Sequence, residues 1–244
     1  MKRAAVPQPQ EAVRSVDNVL MKKVFHIFAA LGLVSAAISY GGNWLGRSLA
    51  LAGHTDDTRR HEVVIGNNVI SAPANAIRFE KARRDGIATR LDIYLRWPEM
   101  EGYTSATRDD FNNADGGRHI LFLSFDERMM SRDMSGRFAP IYSSLIERPG
   151  TAGPGGLMLY GFTEKSGYIN EELAVAERPG EEPFVARCLV GPSAEESLAP
   201  CERDIHLGDE LSLSYRFSRE LLEDWQRLEA SVRAKAAQYV KTGR

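Results

Sequence analysis

Residues 204–217 read DIHLGDELSLSYRF. From residue 211 onward, Leu211, Leu213, Tyr215 and Phe217 alternate with Ser212, Ser214 and Arg216. Successive side chains of a strand point to opposite faces, so a period of two predicts a strand with one buried and one polar side. Gly208-Asp209 supplies a turn, and residues 204–207 are the preceding strand of a hairpin. The same alternation recurs at 90–97. There Leu91, Ile93, Leu95 and Trp97 oppose Arg90, Asp92, Tyr94 and Arg96, and Pro98 ends the strand. Short strands at 62–65 and 69–71 flank a Gly66-Asn67-Asn68 turn. Residues 119–125 are apolar enough for a central strand, and 157–162, 168–176 and 184–190 add three more. Residues 99–117 and 148–156 are loops, with a short helix expected at 138–146. About eight short strands separated by turn residues predict a mainly β domain, an antiparallel β-sandwich or barrel-like fold.

The pattern then changes period. Leu221, Trp225, Leu228, Val232, Ala236 and Tyr239 recur at steps of three and four, the stripe of an amphipathic helix. Ser218 is the expected N-cap. Glu220, Glu223 and Asp224 stand early and Arg233, Lys235 and Lys241 late, in keeping with the helix dipole. This helix, within residues 218–244, either packs on its own β domain or offers a face to a partner.

At the other end, residues 24–46 (VFHIFAALGLVSAAISYGGNWLG) contain no Asp, Glu, Lys or Arg. As a helix they span roughly 34 Å at about 1.5 Å per residue, enough for a hydrocarbon core of about 30 Å. Tyr40 and Trp44 stand where an aromatic belt would lie. Residues 1–23 carry five basic residues against Glu11 and Asp17, a net +3, so the remainder carries −5 of the total −2. The positive-inside rule keeps the leader in the cytoplasm and exports the rest. The expected order is a cytoplasmic leader at 1–23, a transmembrane helix at 24–46, a connector at 47–61, a periplasmic β domain at 62–217 and the helix at 218–244. A cleaved signal peptide starting near Met21 and ending near Ser39 is the competing reading. Both place the β domain outside the cytoplasm.

That placement gives meaning to the two cysteines, Cys188 and Cys201. The twelve residues between them, LVGPSAEESLAP, are rich in turn formers and can bring the ends together. In an oxidising compartment a disulfide is expected; in the cytosol they would be two buried thiols.

Chemical motifs are sparse. His54 and His61 flank Asp56 and Asp57, a ligand-like composition without a ligand-like spacing, and a solvated connector is the simpler reading. Met129, Met130 and Met134 are of the type that holds Cu(I), but they also suit a covered apolar edge. No G-x-S-x-G is present, and Ser124 near Asp126 and His119 lacks a triad signature. Gly153–Gly156 lacks the Lys-Ser/Thr of a phosphate loop. Arg59-Arg60 and Arg83-Arg84 are near the membrane segment in sequence; surface solvation is the simpler account of them, and contact with lipid headgroups is the alternative. With 31 Lys+Arg against 33 Asp+Glu there is no basic excess of the kind that nucleic acid selects.

The stretch NNVISAPANAIRF (67–79), followed by RLDIYLRWPEMEGYT (90–104), is richer in Asn, Pro and aromatics than packing requires. Asn75, Trp97 and Tyr103, with Trp225 and Tyr239 on the helix, are the expected interaction surface. Together with the apolar segment and GHTDDTRRHE (53–62), this region resembles single-pass, membrane-anchored proteins of alphaproteobacteria. The resemblance implies anchoring and carries over no activity and no catalytic residue. The resulting expectation is a membrane-anchored periplasmic binding or assembly protein of the cell envelope, with a protein partner. No catalytic residue, metal or cofactor is assigned, and the alternative is an exported hydrolase acting on envelope polymers.

Overall fold

The structure is a computed structural model that describes residues 18–51, 53–114, 116 and 118–241, without the side chains of 20 and 40–51. The expected leader therefore lies mostly outside the described residues, as do the side chains of Tyr40 and Trp44 and the last three residues. The chain divides into two compact units, 1–52 and 53–244.

The first unit contains one helix, Asn18–Leu51. Its Met21–Ser39 stretch has a mean hydropathy of 1.5 and is long and apolar enough to cross a membrane. Phe25 and Leu33 on this helix are 70% and 73% exposed.

In the second unit, β1 (Arg60–Ile65) and β2 (Asn68–Pro73) form a hairpin, and β3 (Gly86–Ile87) lies parallel to β1. The remaining strands are β4 (Arg90–Arg96), β5 (Ile120–Glu127), β6 (Thr151–Ala152), β7 (Met158–Gly161), β8 (Glu171–Ala176), β9 (Phe184–Leu189), β10 (Cys201–Leu207) and β11 (Leu211–Phe217). They make one antiparallel sheet in the order β4-β5-β11-β10-β9-β8-β7-β6. The fold is mainly β, as expected, but the large sheet is open, with β4 and β6 at its edges. Its one non-sequential junction is β5 beside β11, in register at Phe125↔Leu213. The chain leaves β5, travels to the far edge and zigzags back.

One face of this sheet carries the alternating apolar residues. Leu91, Leu123, Phe125, Leu213 and Phe217 are at most 1% exposed and join Val63, Ile65 and Ile70 of the small sheet in one core. Each such side chain contributes roughly 1.5–3 kcal/mol on burial. The C-terminal helix, Trp225–Tyr239, closes the same core through Leu228, Val232 and Ala236. The helical stripe begins one residue later than expected. Arg219–Asp224 is 3-10, so Leu222 is buried and Leu221 only partly so. Three residues per turn bring 222, not 221, above Trp225. Ser218 occupies the N-cap position of the 3-10 turn, but its side chain makes no capping bond. At 138–146 only Tyr142–Ser144 forms a helical turn. The 99–117 loop contains short helices at Ser105–Thr107 and Arg108–Phe111.

On the opposite face, a second cluster (Met134, Tyr142, Ile146, Leu173, Val175 and Val185) covers the β8–β9 region. The β4–β5–β11–β10 part of that face remains open.

Candidate functional site

The open face is built by the polar members of the alternating strands. Cross-strand pairing sets them in rows. Arg90, Asp126, Ser212 and His206 form one row, and Asp92, Ser124, Ser214 and Asp204 the next. Tyr94, Phe122, Arg216, Glu202 and Arg187 form the third. Small serines hold the middle and longer side chains the sides, so the face is hollow. A cavity of about 340 Å³ is lined by Asp126, Tyr142, Arg187, Asp204 and His206 among others. A second of about 250 Å³, lined by Arg78, Asp92 and Phe122, meets it at Glu202 and Ser214.

Arginine–carboxylate pairs wall this recess. Arg90 donates to Asp92 Oδ1 at 2.9 Å and to Ser124 Oγ at 2.6 Å, and Ser124 donates in turn to Asp92. Arg187 lies 3.3 Å from both Glu171 and Glu202 and covers the Tyr168 ring at 4.9 Å. Arg137 is paired with Asp204. Burial raises the carboxyl pKa of Asp204 against the pull of Arg137. Glu171 is raised by burial too. Asp126 differs from Asp92, Asp204 and Glu171: among the described residues its side chain makes no hydrogen bond or ion pair, and neither does that of Glu127 at the edge of the same cavity. Burial raises the pKa of Asp126, Arg90 opposes this, and Asp92 and Asp204 reinforce it. The His206 side chain makes no hydrogen bond among the described residues either. Met129 (94% exposed) and Met130 (50%) overhang the rim.

The row order bears on chemistry. A serine hydrolase needs histidine between serine and acid. Here Ser212 lies between His206 and Asp126, and no histidine bonds a serine among the described residues. Ser124 is held by Arg90 and Asp92. Paired guanidiniums, serine hydroxyls and the unpaired carboxylates of Asp126 and Glu127 suit the recognition of a polar surface bearing both signs of charge.

None of the sequence-predicted interaction residues lies in the recess. Asn75 (6% exposed) donates to the Tyr103 carbonyl at 2.8 Å. Tyr103 (1%) stacks on His54 at 4.6 Å. Trp225 donates to the Gly155 carbonyl at 3.0 Å and packs on Phe184. Tyr239 is buried under Arg60. Trp97 is half-buried beneath Arg227. These side chains fasten loops and the terminal helix to the core.

The connector is fastened as well. His54 Nδ1 lies 2.8 Å from the Tyr94 hydroxyl, Asp56 accepts from the backbone and hydroxyl of Ser105, and Asp57 accepts from Arg59. His61 faces Asp85 at 3.3 Å. These residues are held by protein partners, and among the described residues no group of three His, Cys, Asp or Glu is placed to hold a metal. Met134 is buried in the second cluster, apart in exposure from Met129 and Met130. Cys188 and Cys201 form a disulfide across β9 and β10, at positions directly opposite in the ladder.

The recess residues had a sequence signal, the polar half of each alternating strand. What the alternation does not carry is the strand order that gathers Asp126, Ser212 and His206.

No protein-family model matches the chain, and no curated protein matches it. Among solved structures it is similar to Smlt3025, an immunity protein of the Stenotrophomonas maltophilia type IV secretion system. The identity is 16% and the TM-score 0.48, over 78% of this chain and 96% of that one. It is also similar to the Neisseria meningitidis iron-regulated outer membrane lipoprotein FrpD, at 11% identity and a TM-score of 0.42, over 75% and 95%. Both likenesses are too distant to carry a function across.

Proposed function

We propose that this chain is a membrane-anchored binding or assembly protein of the bacterial cell envelope. Its exported β domain recognises a protein partner through the recess on the large sheet. The observation that carries this reading is the recess itself, walled by arginine–carboxylate pairs, floored by serines and containing the unpaired Asp126. Such a surface matches a partner by charge and fixes its register. The apolar Asn18–Leu51 helix supplies the anchor, since exposed side chains such as Phe25 and Leu33 are stable in lipid and costly in water. The basic leader orients it with the N-terminus in the cytoplasm and the β domain in the periplasm, at the inner membrane. This agrees with the resemblance to anchored alphaproteobacterial proteins and with an oxidising environment for Cys188 and Cys201.

Two experiments test it. A phosphatase reporter fused after residue 60 should be active, and a cytoplasmic location would refute the topology. Affinity purification from solubilised membranes should bring down a partner with the wild-type chain and lose it with Asp126→Lys. Equal recovery with both would remove the recess from the account. The second reading, an exported hydrolase of envelope polymers, is favoured by the raised pKa values of Asp126 and Asp204, which suit a general acid. It predicts turnover of such a polymer that Asp126→Asn abolishes.

A further inference from the structure

Residues 78–87, RFEKARRDGI, lead into and include β3. Arg78, Lys81, Arg83 and Arg84 stand against Glu80 and Asp85, a local +2 within a remainder that carries −5 from residue 24 onward. The segment borders a cavity of about 200 Å³. Val63 and Leu91, 3% and 1% exposed, give it an apolar floor, and Lys81 and Arg84 stand among its lining. Ile87 is 90% exposed and Phe79 is 42% exposed. A bare isoleucine beside unspent cations gains nothing from the fold of this domain, and Phe79 is covered in part by Arg78, 5.1 Å from its ring centre.

The four cations differ in their use. Arg83 is committed to the protein, donating to the Ile77 carbonyl at 3.1 Å and the Gly53 carbonyl at 2.6 Å. The side chains of Lys81 and Arg84 make no hydrogen bond or ion pair among the described residues. Gly53 stands two residues after Leu51, the last residue of the apolar helix. Arg83 therefore ties this segment to the first residue of the second unit, which follows the helix closely in sequence. Free ammonium and guanidinium groups, protruding apolar side chains and an apolar-floored pocket fit the boundary between phosphate headgroups and acyl chains.

We infer that residues 78–87 are a docking site for anionic phospholipid, in the same membrane that holds the helix. Lys81 and Arg84 meet headgroup phosphates, and Ile87 and Phe79 enter the boundary beneath them. The inference rests on the anchor reading above.

The test uses the full chain reconstituted in vesicles of phosphatidylcholine alone, or with about three-tenths phosphatidylglycerol, a surface charge that attracts juxtamembrane basic segments. An environment-sensitive dye is placed at Ile87→Cys. A control dye is placed at Ile169→Cys, which is exposed before β8, several strands from β4 in the sheet. The emission at 87 should shift to the blue only in the anionic vesicles and revert in Lys81→Glu/Arg84→Glu. Position 169 should not change. These two substitutions break no side-chain hydrogen bond or ion pair among the described residues, and an unchanged melting temperature verifies the fold. Flotation after a carbonate wash reports the anchor separately. A chain that fails to float refutes the anchor and this inference with it. A chain that floats without a shift at 87, or with an equal shift at 169, overturns the lipid site alone.

Discussion

Arg203 donates from Nη2 to Glu229 Oε1 at 2.9 Å, joining the large sheet to the C-terminal helix inside the core. The two residues are 1% and 4% exposed. Arg203 also donates to the Val185 carbonyl and to Ser135, and Glu229 further accepts from Arg178 and Arg233. Burial alone would raise the Glu229 carboxyl, but the Arg203 and Arg178 guanidiniums outweigh it and hold it at about 2.

Glu229→Ala strands three guanidiniums around a vacated site, one of them fully buried. It should cost about 3–5 kcal/mol in urea unfolding, the penalty of leaving a buried charge unpaired. Adding Arg203→Met should return part of that loss.

The same carboxylate sets an acid limit. Its folded pKa lies below the ordinary value of 4.5, so its contribution is complete above that pH and is lost as pH falls through about 2. Melting curves should show wild-type stability falling between pH 4.5 and 2 more steeply than that of Glu229→Gln.

A second clasp joins the two sheets. Asn68 donates to the Asp209 carbonyl at 2.6 Å and accepts from its amide at 3.0 Å. Gly208 has a φ of +48°, and a Cβ there would lie 2.3 Å from Asn68 Oδ1. Gly208→Ala should therefore lower stability by about 1–3 kcal/mol through the left-handed backbone alone, with the clash adding to it. Asn68→Ala should cost about 1–3 kcal/mol by removing two hydrogen bonds, each worth about 0.5–1.5 kcal/mol net. Both are read by thermal melts.

The Cys188–Cys201 bond closes a loop of sequence separation 13. Its loss in the double alanine variant should remove about 3 kcal/mol in the chain-entropy account. Intact-mass analysis of unreduced protein should find no alkylatable thiol.

His54 stacks against Tyr94 and Tyr103, and burial lowers its pKa from 6.5, with Arg83 adding to this and a bond to Asn112 opposing it. A histidine held neutral contributes stability above pH 6.5, which is lost as pH falls below that value. Protection factors of the amides of residues 53–58, corrected for the intrinsic slowing of exchange in acid, should fall on acidification, and His54→Phe should remove most of that dependence.

Strands such as β4 and β11 were legible because alternation is local: Leu91 and Ile93 need only a period of two. The disulfide was legible because turn formers fill the interval between its cysteines. The two-residue strands β3 and β6 carry no period at all. The shift from Leu221 to Leu222 depends on a 3-10 turn that the spacing of apolar residues does not distinguish from the start of an α-helix. Arg203 and Glu229 each look solvent-facing in isolation, because a buried charge becomes acceptable only through a partner 26 residues away. Tyr103, Trp225 and Tyr239 are the kinds of residue that interfaces use, and cores use them too. The recess depends on β5 lying beside β11, a pairing between residues about ninety positions apart, so composition shows its members but not their meeting.

The central claim is that the recess is where this chain meets its partner. A photo-crosslinking side chain at Ser214, where the two cavities join, should capture a distinct envelope protein in intact membranes. The same group at Gln226, exposed on the helix that packs against the opposite sheet face, should not. Capture at Ser214 alone is the predicted result. Capture from Gln226 with none from Ser214 would contradict the account.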